Sequence, residues 1–212
     1  MDSILQKART VEEAVAIGLE RLKAAREDVD VEIVEGAEAF GGQQGGYVVV
    51  RLGPKTETSA AIEGFAAEIL KLMGFSARVH SIDYAHQFVI QIETAGANGL
   101  LIGRGGEVLT AFQHILNRIV RREGLTDRAI AVDVGRYRER RAESLRSMAM
   151  RAAAEVRSLQ KEITLQPLPP AERRIIHLAL QQDPEVKTHS VGWGPLKRVV
   201  ISPVPVETIE DS

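Results

Sequence analysis

Leu101-Ile102-Gly103-Arg104-Gly105-Gly106-Glu107-Val108-Leu109 is the stretch on which the fold of this chain turns. A short apolar helix, Gly99 to Ile102, runs into four residues of which three are glycine. A long helix then resumes, with Val108, Phe112, Ile115 and Ile119 at helical spacing and a stop at Gly124. Glycines at such a corner let another backbone come into contact with the turn. The second helix presents unpaired N–H groups and the positive end of its dipole there, a natural seat for phosphate oxygens. Arg104 adds a fixed positive charge, and Glu107 suits a helix start. Taken alone, the stretch reads equally well as a helix–turn–helix corner whose glycines relieve strain.

Working outward, Ile62, Phe65, Ile69 and Leu72 mark a helix closed by Gly74. Phe75 to Asp83 and Gln87 to Thr94 read as strands joined by a tight turn at Tyr84-Ala85-His86, and Ile130, Val132 and Val134 alternate as a third strand. The order is helix, strand, strand, helix, glycine turn, helix, strand. Motif and order together resemble the KH domain, in the form whose strands precede the helix pair, over residues 59–135. The resemblance implies that Gly103, Arg104, Gly105 and Gly106 grip the backbone of about four unpaired nucleotides. It also implies that Ile102, Val108 and the strand near Ile90 line an apolar groove for bases. Nucleotide hydrolysis fits worse. No Gly-Lys-Ser/Thr follows the glycines, and Val108 sits where a dinucleotide fold needs its third glycine.

Before this segment lies a smaller module, residues 1–54. Thr10-Val-Glu-Glu13 is a capping box, and Val11, Val15, Leu19 and Leu22 give an amphipathic helix expected to reach about Arg26. Val29, Val31 and Ile33 alternate as a strand, Gly41 to Gly46 reads as a flexible loop, and Tyr47 to Leu52 as a second strand.

After it, residues 136–206 open with a charged, proline-free stretch, Arg136 to Lys161, expected as one long helix. Pro170 is suited to the first turn of a helix running to Gln182. Two strands follow, Val186 to Ser190 and Leu196 to Ser202, around Gly192-Trp193-Gly194-Pro195. Arg173 and His177 are four apart and share a helix face, which Arg174 extends, while Ile175, Ile176 and Ala179 point elsewhere. Such a pair serves as a phosphate or base clamp, or is an incidental pair on a solvated face.

The run Leu168 to Leu180, with Thr188-His-Ser190 and Lys197 to Ile201, resembles the Arg-x-x-x-His (R-3-H) domain, which binds single-stranded nucleic acid. With the KH-like segment just upstream, the chain resembles the bacterial Jag family, also called KhpB or EloR, and residues 1–54 resemble the Jag N-terminal domain. The match departs at Ala39 to Gln43, where the family has a Gly-Phe-Leu-Gly-like segment, and near Trp193, where relatives are acidic and polar. The resemblance implies an α+β chain of three modules and Arg173, Arg174 and His177 as nucleic-acid contacts. It further implies a small single-domain KH protein as partner, a link to a membrane protein insertase, and a role in cell elongation and envelope synthesis.

Composition bounds the alternatives. Residues 1–94 carry nine Lys/Arg against fifteen Asp/Glu, whereas residues 95–206 carry eighteen against eleven, and residues 207–212 form an acidic tail. The basic half suits a polyanion partner. Arg136, Arg140, Arg141, Lys197 and Arg198 are candidate auxiliary phosphate contacts, and Trp193 either stacks on a base or packs. No cysteine is present, and the five histidines include no pair at helical metal spacing with a nearby carboxylate. No catalytic constellation, cofactor or metal site is therefore expected. The chain start lacks a signal-peptide pattern, and no stretch approaches ~18 apolar residues, so a cytoplasmic protein is expected. A binder of single-stranded RNA, acting as an RNA chaperone or post-transcriptional regulator, is the leading reading. Single-stranded DNA binding and a protein–protein adaptor stand as the alternatives.

Overall fold

The computed structural model describes residues 2–38, 42–43 and 46–204, and divides into two compact units, Met1–Arg138 and Glu139–Ser212. The Ala39–Gln43 departure and the Gly41–Gly46 loop fall mostly outside the described residues. Within them, Gly42 and Gln43 pair with Ala37 and Glu38 as a two-residue ladder. The acidic tail lies wholly outside them.

The first unit is organised by one six-stranded sheet. Its strands are β1 (Ile4–Ala8), β2 (Val29–Glu35), β5 (Val48–Pro54), β6 (Ala77–Tyr84), β7 (Gln87–Thr94) and β8 (Ala129–Val134); β3 and β4 are the short ladder above. The order is β1-β5-β2-β6-β7-β8. The expected boundary between residues 54 and 59 falls inside this unit, because β2 and β6 pair in parallel, Glu32 with Asp83 and Ile33 with Tyr84. A polar seam accompanies that pairing. Glu63, only 8% exposed, accepts at 2.7 Å from the N–H and the hydroxyl of Ser81, and it pairs with Lys55 at 2.6 Å. Arg26 donates to the carbonyls of Val29 and Ser81. The carboxylate is thus buried with its charge and lone pairs answered.

Alternation along β6 sends its side chains to two cores. Ala77 and Val79 pack with α2 (Glu57–Leu72), α3 (Asn98–Ile102) and α4 (Glu107–Arg122), where Ile62, Leu70, Ile90, Phe112 and Leu116 are buried. Ile82 and Tyr84 pack instead with α1 (Val11–Leu22) and the buried Val31, Val50 and Leu52. The capping box forms: the N–H of Glu13 donates to Thr10 Oγ1, and the Glu13 carboxylate accepts from the N–H of Arg9. α1 stops four residues short of the expected Arg26. Lys23 takes a left-handed conformation (φ 52°), and the N–H groups of Lys23 and Ala24 bond back to Glu20 and Leu19. This is the glycine-type C-terminal motif with lysine in the glycine position, which hid the stop. Gly74 and Gly124 close α2 and α4 by the same pattern. Strand β1 was not anticipated; it pairs with β5 along its whole length.

The second unit contains most of α5 (Tyr137–Leu159), then β9 (Ile163–Thr164), α6 (Pro170–Leu180), β10 (Val186–Val191) and β11 (Arg198–Pro203). Leu145, Ala149, Ala152, Ala153 and Val156 fall on one face of α5 and bury against Ile176 and Leu180 of α6 and Val199 and Ile201 of β11. The sheet order is β10-β11-β9, with the unanticipated β9 pairing through only two residues. The architecture is α+β throughout.

Candidate nucleic-acid interface

The glycine turn of the first unit is made by backbone conformation. Gly103 ends α3 at φ 73°, ψ −176°, a region essentially reserved to glycine. A Cβ there would also stand 2.5 Å from Val108 Cγ2. Arg104 to Gly106 form a 3-10 turn in which Gly105 (φ 60°) and Gly106 (φ 86°) are both left-handed. The space beside Gly105 is open, whereas a Cβ at Gly106 would meet the ring of Tyr137 at 3.2 Å. Gly105 is therefore glycine for its conformation, and Gly103 and Gly106 for conformation and space together.

Among the described residues no side chain caps the start of α4, whose N-cap is Gly106. Arg104 and Gly105 are exposed, and among the described residues no carboxylate pairs with Arg104. The turn thus presents a helix N-terminus, an accessible backbone and one cation on a single surface. Of the expected groove residues, Val108 is half-buried against Gly103, Ile102 is 9% exposed, and Ile90 is wholly core. Of these three side chains, Val108 and the edge of Ile102 are the ones that reach solvent.

In the second unit the site is made by side chains. Arg173 and His177 lie one turn apart on α6, facing Thr188 and Ser190 of β10, which share a strand face by period-two alternation. Arg173 Nε donates to the carbonyl of Leu168 at 3.2 Å, and Nη1 donates to Ser190 Oγ at 3.0 Å. His177 Nε2 lies 3.0 Å from the same hydroxyl, and Nδ1 lies 2.7 Å from Thr188 Oγ1. Arginine can only donate, so Ser190 accepts from Arg173 and turns its own proton to His177 Nε2. The neutral ring then carries its proton on Nδ1 and donates to Thr188. Burial, with Arg173 and His189 adding repulsion, holds His177 below the usual histidine range, which favours this neutral form. Two of the five N–H groups of Arg173 have partners among the described residues, leaving three for a ligand.

Arg174 is exposed on the same helix. The auxiliary cations fare differently. Arg141 is held by Glu172 through two 2.8 Å bonds, and Arg136 pairs with Glu12 at 2.8 Å, so both are engaged within their own units. Arg140 and Arg198 are exposed, and Lys197 is half-buried with its backbone bonded to Leu168. Trp193 is 96% exposed, which removes the packing alternative. Sequence reasoning missed the approach of Tyr137 to Gly106, which no local pattern announces. Among the described residues, no group of three or more His, Cys, Asp or Glu is arranged to hold a metal, and no helix is long and apolar enough to cross a membrane.

Residues 7–41 match the Jag N-terminus family, and residues 143–203 match the R-3-H domain family. Over 206 residues, 95% of this chain and 92% of the relative, the sequence is 34% identical to a Clostridium symbiosum protein named RNA-binding protein KhpB. A protein of the same name from Bacillus subtilis is 29% identical over 206 residues, 95% of this chain and 99% of its own. One from Lactiplantibacillus plantarum is 30% identical over 142 residues, which cover 67% of this chain and 44% of that longer relative.

Proposed function

This chain belongs to the Jag family, and from that premise we propose that it binds single-stranded RNA through the glycine turn and through the Arg173–His177 cluster. The observation that carries the reading is the glycine turn itself. Gly103, Gly105 and Gly106 all adopt positive φ, and the turn leaves Arg104 and the start of α4 exposed. A phosphodiester lies against such a surface without displacing any side chain. Arg173, with three N–H groups unpartnered among the described residues, and exposed Arg174 supply a second set of phosphate contacts. Relatives named as RNA-binding favour RNA over single-stranded DNA as the ligand.

The chain acts, on this reading, in the cytoplasm as an RNA chaperone or post-transcriptional regulator rather than as an enzyme. Its place in cell elongation and envelope homeostasis, its pairing with a small single-domain KH protein and its link to a membrane protein insertase follow from the family resemblance.

The test is binding of a labelled unstructured RNA and the matching DNA at two salt concentrations. The double variant Arg104→Asp, Gly105→Asp is suited to it, since Arg104 is exposed, the space at Gly105 is open, and aspartate tolerates the left-handed region. It is expected to fold and to lose most RNA affinity. Arg173→Ala with His177→Ala is expected to weaken binding further. For the wild type, affinity falls with salt at a logarithmic slope of about −0.7 per contacted phosphate. No RNA binding by the wild type, or binding untouched by either double variant, overturns the reading.

A further inference from the structure

We infer that the β10–β11 hairpin of the second unit is a nucleobase platform, on which Trp193 stacks an unpaired base of the strand held by Arg173 and His177. This rests on the single-stranded RNA reading and adds a binding site to it. Trp193 is the one tryptophan in the chain, and at 96% exposure both faces of its indole are open to solvent. It is held clear at the hairpin tip between two glycines of positive φ, Gly192 at 109° and Gly194 at 77°. The space beside both glycines is open among the described residues: a Cβ at Gly194 would meet nothing within 4 Å, and one at Gly192 would meet only the Lys197 backbone at 3.9 Å.

Charge on the hairpin identifies the occupant. From Val186 to Val206 the sequence contains Lys187, Lys197 and Arg198 and no aspartate or glutamate. Among the described residues, no carboxylate pairs with any of the three. An indole with two free faces on an acid-free basic hairpin suits a ligand that is both aromatic and polyanionic.

The same strand connects the tip to the cluster on α6. Ser190, which binds both Arg173 and His177, lies three residues before Trp193. That separation spans at most about 10 Å of chain. One strand of nucleic acid passing the cluster therefore reaches the indole. Stacking is indifferent to base identity, so the platform adds affinity and not sequence preference.

The lone tryptophan makes the test direct. Oligouridylate titrated into the full-length chain should quench tryptophan emission with the same saturation that labelled oligouridylate shows by anisotropy. Trp193→Ala, at a position too exposed to affect folding, should weaken binding about tenfold, and Trp193→Phe should recover most of the loss. If oligouridylate binds by anisotropy while emission stays unchanged and Trp193→Ala binds as tightly as wild type, the platform is refuted and the RNA reading survives. If oligouridylate does not bind at all, the RNA reading fails and the platform with it. Phosphatidylglycerol vesicles form the control arm. A blue-shifted emission with vesicles, and none of the RNA response, would make the hairpin a membrane contact and overturn the inference.

Discussion

The glycine turn of the first unit and the Arg173–His177 cluster of the second are built from different materials. In the turn, three positive-φ glycines shape a backbone surface, and the one charged side chain, Arg104, is unpaired among the described residues. In the cluster, an ordinary helix and strand supply side chains that hold one another through a shared serine hydroxyl. The first site is vulnerable to a carbon added at Gly103 or Gly106, where Val108 and Tyr137 fill the space. The second depends on its hydroxyl partners, Ser190 and Thr188, around a histidine that burial holds toward the neutral form. On the proposed reading, a chain that carries both would meet phosphate with backbone geometry at one place and with a side-chain network at the other.

The sharpest way to break this contrast is Gly103→Ala. Its φ/ψ region is closed to alanine, and the new Cβ would press on Val108, so a loss of about 2–4 kcal/mol is expected. Denaturant unfolding with hydrogen exchange localised to the first unit measures it; a loss under about 1 kcal/mol would show that the turn is not shaped by glycine. Ser190→Ala is the counterpart in the second unit. It leaves Arg173 Nη1 and His177 Nε2 without their common partner, at a cost of about 1–3 kcal/mol. Little change in second-unit protection would mean that the network is not a unit.

Gly105→Ala separates conformation from space within the turn. With nothing within 4 Å, only the left-handed backbone is penalised, by about 1 kcal/mol, well below Gly103→Ala. Equal losses at the two positions would erase the distinction drawn between them. The smallest effect expected is on pH. The folded state holds His177 below its ordinary value of about 6.5. As pH falls below that value, the unfolded chain takes up the proton before the folded one does, so stability declines toward the folded pKa. Above about pH 7 the contribution is fully present. His177→Gln should flatten that part of the stability profile relative to wild type, leaving the parallel contribution of His80, which burial also holds low. An unchanged profile would place His177 in solvent.

Much of this was legible in the sequence because the signals were local. Alternation in β6 and β7, glycine stops at Gly74 and Gly124, the capping box at Thr10 and the turn at Gly103–Gly106 each lie within a few residues. Pairing between distant segments was not legible. Ile4–Ala8 alternates too briefly to stand out, and nothing near it points to Val48–Pro54 as its partner. The parallel contact of β2 with β6, which merges two apparent modules into one sheet, is likewise a tertiary choice. In the site, Arg173 and His177 were found by helical spacing. Tyr137 was missed because its ring meets Gly106 from 31 residues away in the chain.

The place of β1 at the sheet edge, where among the described residues it pairs only with β5, has a consequence in time. During synthesis β1 emerges about 40 residues ahead of that partner. At a ribosomal rate of about 5–20 residues per second, it waits for about 2–8 s with its ladder groups unpaired. The β6–β7 hairpin closes almost as soon as it is made, so the sheet of the first unit is completed from segments of very different age.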